Sequence, residues 1–149
     1  MRVIITGATG FIGKVLCQEL TEAGYEVVAL SRNLEAGAKI LGEQIKVAQW
    51  DGKTAKGWEN LCDGDYAIIN LAGENISSGR WTDKRKKIIL DSRLNAGKAV
   101  VEAVKIAEEK PKVVIQASAN PPECASLIAI PSARDSYIPA GTVTGPPSD

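Results

Sequence analysis

Apolar residues along this chain fall into short dense blocks that alternate with longer periodic stretches. Val3 to Ile5 is a β-branched run closed by Thr6-Gly7. From Phe11 the apolar positions recur at helical spacing through Ile12, Val15, Leu16 and Leu20 until Gly24. The pattern predicts a strand, a glycine turn and a helix. Glu26 to Leu30 repeats the strand signal, Asn33 is placed to cap a short helix over Leu34 to Leu41, and Gly42 is placed to end it. Ile45 to Trp50 reads as a third, weaker strand. Tyr66 to Leu71 is almost wholly apolar and follows Asp63-Gly64-Asp65, as expected of a strand buried on both faces of a parallel sheet. Thr82 then caps a helical pattern reaching about Glu109, with Ile88, Ile89, Ala96, Ala99, Val100, Ala103, Val104 and Ala107 as one apolar stripe. Lys112 to Ala117 is the fifth strand.

Strands alternating with helices predict an α/β fold, a Rossmann-like doubly wound parallel sheet of about five strands in the order 3-2-1-4-5. After Ser118 the pattern lapses. Pro121, Pro122, Pro131, Pro139, Pro146 and Pro147, six of the seven prolines, lie there. Only Ser126 to Ile130 has the composition of a short strand, and the rest reads as irregular tail. The expected division is a domain over 1–119 and a proline-rich tail over 120–149.

Composition narrows the function classes. With 149 residues, 44% of them hydrophobic, the chain has the size and apolar content of one domain. Lysine plus arginine equals aspartate plus glutamate at 18 each, so no overall field draws the protein to nucleic acid. The run Lys84-Arg85-Lys86-Lys87 is better read as a solvated helix face than as a basic patch. Trp50, Trp58 and Trp81 are too far apart in sequence for an obvious stacking platform and read as core or interface packing. Cys17, Cys62 and Cys124 are odd in number and the chain has no histidine, which argues against a disulfide framework and a zinc site; no metal is expected. No apolar run approaches the ~20 residues of a membrane span. A strand pattern beginning at Arg2 leaves no room for a leader, and a cytoplasmic location is expected.

The candidate chemistry lies on the first turn. Gly7, Gly10 and Gly13 are spaced three and three between a strand and a helix, the context that gives this motif meaning. Gly7 permits the tight turn, Gly10 clears a path for a pyrophosphate to reach backbone amides, and Gly13 lets the helix lie close to the sheet. The helix N-terminus supplies free N–H groups and a positive dipole end for the anion. The second strand ends Leu30-Ser31-Arg32-Asn33, without the carboxylate that would accept from the 2′-hydroxyl of NAD. Arg32 is suited to pair with the 2′-phosphate of NADP, with Ser31 and Asn33 donating to it. NADP is therefore the expected cofactor, NADPH favoured over NADH. An arginine merely solvated at a strand end is the plain alternative.

TGATGFIG at 6–13 resembles the nucleotide fingerprint of the extended short-chain dehydrogenase/reductases. AIINLAGENISSGRWTDKRKKIILDSR at 67–93 resembles, more narrowly, their nucleotide-sugar epimerase-like subgroup, also labelled as cell-division-inhibitor homologues. The resemblance covers residues 1 to about 119. It implies an NADP(H)-binding domain with oxidoreductase or epimerase chemistry, and it adds Thr9, Phe11 and Ile12 to the three glycines as cofactor-binding positions. It also implies that Asp51 faces the adenine amino group, that Leu71, Ala72 and Gly73 lie beside the adenosine ribose and pyrophosphate, and that Ser118 is the catalytic serine. Asp51 before Gly52 reads equally well as a turn residue.

The chemistry of such relatives needs a tyrosine and, four residues later, a lysine. Here Tyr25, Tyr66 and Tyr137 are followed at that distance by Ala29, Asn70 and Gly141. Together with the tail that replaces the expected continuation, this suggests a truncated or frame-shifted cofactor half. Catalysis is thus uncertain, and a non-enzymatic NADP-dependent sensor or interaction protein, or an inert fragment, stays open. The exposed edge of the fifth strand calls for cover by the tail, by a partner or by a second copy in a homo-oligomer.

Overall fold

The structure of the protein, a computed structural model, describes residues 1–75, 80–118 and 126–131. One sheet holds β1 (Arg2–Thr6), β2 (Glu26–Ser31), β3 (Lys46–Gln49), β4 (Tyr66–Asn70), β5 (Val113–Ser118) and β6 (Ser126–Pro131). The strand order is β3-β2-β1-β4-β5-β6. The first five strands are parallel, in the order that the hydrophobic pattern predicts. β6 runs antiparallel to β5, pairing Val113 with Pro131 and Ser118 with Ser126, so a segment of the tail occupies the β5 edge.

Helices α1 (Phe11–Glu22), α2 (Leu34–Leu41) and α3 (Asp83–Ile106) pack on the two faces. Their ends follow local chemistry. Asn33 Oδ1 accepts from Ala36 N at 3.0 Å to start α2, and Gly42, with φ +83°, closes it. Thr82 Oγ1 accepts from Arg85 N at 3.2 Å to start α3. Between β3 and β4 the crossover holds only a short 3₁₀ turn, Glu59–Leu61.

Because strand side chains alternate, β1 sends Val3 and Ile5 to one core and Ile4 to the other. Under α1 and α2 lie Val3, Ile5, Cys17, Val27, Ala29 and Ile69. Under α3 lie Ile4, Leu30, Ile68, Trp50, Trp58 and the small residues Ala96, Ala99 and Ala103. Trp50 and Trp58 meet edge to face with ring centroids 6.5 Å apart, and both indole nitrogens donate to Thr54 O. These two tryptophans are core, whereas Trp81 is exposed. Cys17 and Cys62 are buried free thiols, pushed up to about 11 by desolvation and so held protonated.

The apolar stripe of α1 faces the sheet only in part: Leu16 and Leu20 pack against the core as the periodicity predicts, but its first residues do not. Phe11 is 89% and Ile12 66% exposed, and Val15 is exposed too. The buried residues are Gly13 and Cys17. Proximity is the reason: a methyl group on Gly13 would lie 2.6 Å from Ala8 Cα, so α1 sits too close to the preceding turn for a larger side chain. Ile88 at the start of α3 is likewise exposed, while Ala96, Ala99, Val100 and Ala103 are buried as the pattern predicts. Among the described residues no helix is long and apolar enough to cross a membrane.

Three stability outcomes follow from this packing, all read as urea midpoints. Trp58→Ala, at a site with 0% exposure, is expected to cost about 3–5 kcal/mol. Gly13→Ala is expected to cost about 1–3 kcal/mol through overpacking. Gly97→Ala, in α3 with nothing within 4 Å of the added carbon, is expected to stabilise by about 0.5–1 kcal/mol. Equal responses at Gly13 and Gly97 would contradict the close approach of α1.

Candidate functional site

The C-terminal ends of β1 to β4 open into one cleft of about 470 Å³. It lies beside the boundary between β1 and β4, where the strand order reverses and open α/β sheets receive ligands. Gly7, Thr9 and Gly10 form one wall, Leu71, Ala72 and Gly73 another, and Ser31, Arg32, Asn33 and Asp51 line it from the ends of β2 and β3. The topology thus gathers ten of the positions singled out in the sequence.

Gly7 has φ +69°, and a side chain there would strike the backbone of Leu71 at 2.7 Å and of Ala72 at 2.9 Å. Gly10 is the N-cap of α1, with extended backbone and no side-chain cap, and the first turn carries no acidic residue. Helix-start N–H groups lack intrahelical acceptors, so this end presents donors and partial positive charge. A methyl on Gly10 would meet only Gly7 O, at 3.2 Å. That leaves a cradle which any side chain at position 10 would begin to fill. Phe11, Ile12 and Gly13 do not line the cleft: the first two contribute backbone at the helix start, and Gly13 is the contact that seats the helix.

The β2 end is more internally bonded than the sequence suggests. Ser31 Oγ donates to Asn33 O at 2.8 Å and accepts from Asn33 N at 3.2 Å, while Asn33 Oδ1 caps α2. Among the described residues, the side-chain Nδ2 of Asn33 and the guanidinium of Arg32 have no hydrogen-bond acceptor. Gln49 Nε2 holds Arg32 O at 2.8 Å, and the Arg32 side chain passes over Gly52. Asp51 serves as a turn residue whatever else it does: Oδ1 accepts from Lys53 N and Thr54 N, and Oδ2 from Thr54 Oγ1. Slight burial raises its pKa, but the Thr54 and Lys53 hydrogen bonds and the Lys53 charge outweigh this and hold it below the ordinary value.

Behind the cleft runs a buried polar chain that the apolar pattern does not reveal. Thr6 Oγ1 donates to Asn70 Oδ1, Asn70 Nδ2 donates to Gln116 Oε1 at 2.6 Å, and Ala72 N is shared between Thr6 Oγ1 and Asn70 Oδ1 at 3.2 Å each. It ties the ends of three adjacent strands. Ser92, Asn95 and Ala96 of α3 also line the cleft, although none was predicted to belong to the site. Asn95 had a legible signal, a polar residue four positions before Ala99 on the stripe. Ser118 ends β5 at the same edge of the sheet, opposite Ser126. Tyr66 starts β4 at the opposite edge, and its hydroxyl donates to Glu109 O at 2.9 Å, with burial raising its pKa well above the usual range. It takes no part in the cleft, and Tyr137 lies outside the described residues. A larger hollow of about 620 Å³ between the ends of α1 and α2 is walled by Lys14, Gln18, Gly42 and Glu43 and holds none of the positions of the Gly7-Gly10-Gly13 turn.

Known proteins share this arrangement. The model of the NAD dependent epimerase/dehydratase family matches residues 3–142, past the point where the motif resemblance stops. Epimerase family protein YfhF of Bacillus subtilis is 41% identical over 119 residues, covering 80% of this chain and 38% of its own length. Human epimerase family protein SDR39U1 is 37% identical over 114 residues, covering 75% of this chain and 34% of its own. The crystal structure of its isoform 2 with NADPH aligns at a TM-score of 0.58 and 32% identity, over 78% of this chain and 36% of that one. A UDP-galactose 4-epimerase structure aligns at 0.63 and 26% identity, over 79% and 38%. The chain thus spans between 34% and 38% of the length of these relatives. With the family model matching most of its residues over a five-stranded parallel sheet and a glycine-turn cleft, the chain belongs to the NAD dependent epimerase/dehydratase family.

Proposed function

We propose that residues 1–119 form a dinucleotide-binding unit that takes NADP(H) in preference to NAD(H). The observation that carries this reading is the meeting, in one cleft, of an uncapped helix start behind Gly7 and Gly10 with Arg32 at a β2 end that has no carboxylate. The human relative solved with NADPH supports it. Gly10, whose own N–H donates to Gly7 O at 3.1 Å, leaves the approach clear, and the first-turn amides of α1, those of Phe11 and Ile12 among them, hold the pyrophosphate. Arg32, joined by the Asn33 side-chain amide, holds the 2′-phosphate. Thr9, Ser31, Asp51 and Leu71 to Gly73 shape the walls around the adenosine.

When bound, the cofactor supplies hydride chemistry at its nicotinamide. Ser118 is the residue we assign to a substrate carbonyl or hydroxyl. The described residues hold no tyrosine within the cleft, so their own work is to bind and orient the dinucleotide. Its occupancy then orders the cleft walls, which gives the same site a sensing role where turnover does not occur.

Calorimetric titration with NADPH and NADH tests the preference. NADPH is expected to bind roughly ten- to a hundredfold more tightly, the worth of a charge-assisted pair. Arg32→Ala should erase most of that gap, and Gly10→Val should abolish binding of both. Equal affinity for the two cofactors, or binding that survives Gly10→Val, would overturn the reading.

A further inference from the structure

We propose that Arg93 is a phosphate-recognising residue of this cleft. Gly73 lines the cleft beside Gly7, Thr9 and Gly10. A methyl on Gly73 would lie 3.2 Å from Arg93 Nε and 3.3 Å from Arg93 Cγ. The Arg93 side chain therefore rests directly against the Gly73 backbone, in the space that the missing side chain leaves. Arg93 stands beside the cleft rather than in its lining, while Ser92 and Ala96, on either side of it in α3, do line it.

What distinguishes Arg93 is its lack of a counter-charge. The nearby carboxylate, Glu74, is taken by Arg85, whose Nη1 lies 3.2 Å from Glu74 Oε1. Arg85 Nη2 also donates to Asn75 O at 2.6 Å, and Glu74 N donates to Ser92 Oγ at 2.9 Å. The strand-end segment is thus clamped to α3 by Arg85 and Ser92, and Arg93 plays no part in the clamp. Its Nε is buried with no hydrogen-bond partner, and among the described residues it forms no ion pair.

A buried N–H of a charged group without an acceptor is costly, and native structures retain such a group where something else completes it. A guanidinium is a forked donor matched to phosphate oxygens, in a cleft whose opposite wall is a helix N-terminus that also favours anions. The phosphate comes either from the dinucleotide's pyrophosphate or from a second, phosphorylated ligand beside it. The first source rests on the NADP(H) reading, and the second does not.

The test compares wild type, Arg93→Gln and Arg93→Lys by calorimetry. The probes are NADPH, adenosine 2′-monophosphate, which lacks a pyrophosphate, and inorganic phosphate added to NADPH-saturated protein. For a pyrophosphate contact, Arg93→Gln weakens NADPH roughly ten- to a hundredfold and leaves adenosine 2′-monophosphate unchanged. For a second ligand, it leaves NADPH unchanged and weakens inorganic phosphate at least about tenfold. Arg93→Lys, keeping charge without the fork, is expected to fall between. All three probes bound as by wild type, or an equal loss for NADPH and adenosine 2′-monophosphate, would overturn the inference. If Arg93→Gln does not fold, Arg93→Lys decides alone, wild-type affinity on every probe overturning it. If wild type fails to bind NADPH, the cofactor reading falls, and inorganic phosphate on the free protein decides Arg93 by itself.

Discussion

The structure turns on a backbone crossing with no room for a side chain. Gly7 leaves β1 in the left-handed conformation and passes between the start of α1 and the end of β4, within reach of Leu71 and Ala72 on one side and Gly13 on the other. Three chain segments meet there at backbone distance, which only glycine permits. The contact fixes the angle at which α1 leaves the sheet, and hence where its N–H groups point. It also brings Ala72 and Gly73 opposite Gly10, which creates the cleft.

The polar groups around this crossing divide into two kinds. Thr6, Asn70 and Gln116 hydrogen-bond one another behind the cleft and tie the strand ends together. Asp51, Ser31 and the cap oxygen of Asn33 are likewise consumed by their own turns. In front, the helix start at Gly10 and the guanidinium of Arg32, with that of Arg93 beside Gly73, are left among the described residues with donors in excess of acceptors. Saturated polar groups set the shape, and the unsatisfied ones are cationic donors. An excess of donors is what the proposed phosphate binding requires.

Much of this was legible in the chain. The alternation of β-branched runs with capped periodic stretches predicts the five parallel strands and their order, because buried parallel strands and crossover helices each leave a distinct pattern. The glycine spacing and the Ser31-Arg32-Asn33 end of β2 point to residues that do share one cleft. Less was legible where contact distance decides. Phe11, Ile12 and Val15 have the spacing of a buried face, yet the helix lies so close to β1 that Gly13 and Cys17 take the inside. Arg93 is one charged residue among several on α3, and nothing local separates it from Arg85.

The sequence by itself determined the elements and the position of the glycine turn, since each depends on neighbours within a few residues, and it gave the order of the parallel strands through the crossover rule that alternating strands and helices obey. Only the tertiary structure decided which face of α1 is buried, which carboxylate pairs with which arginine, and that β6 closes the edge of β5. Those outcomes depend on distances between segments far apart in the chain, where an ångström separates a contact from a clash and local periodicity carries no measure of it.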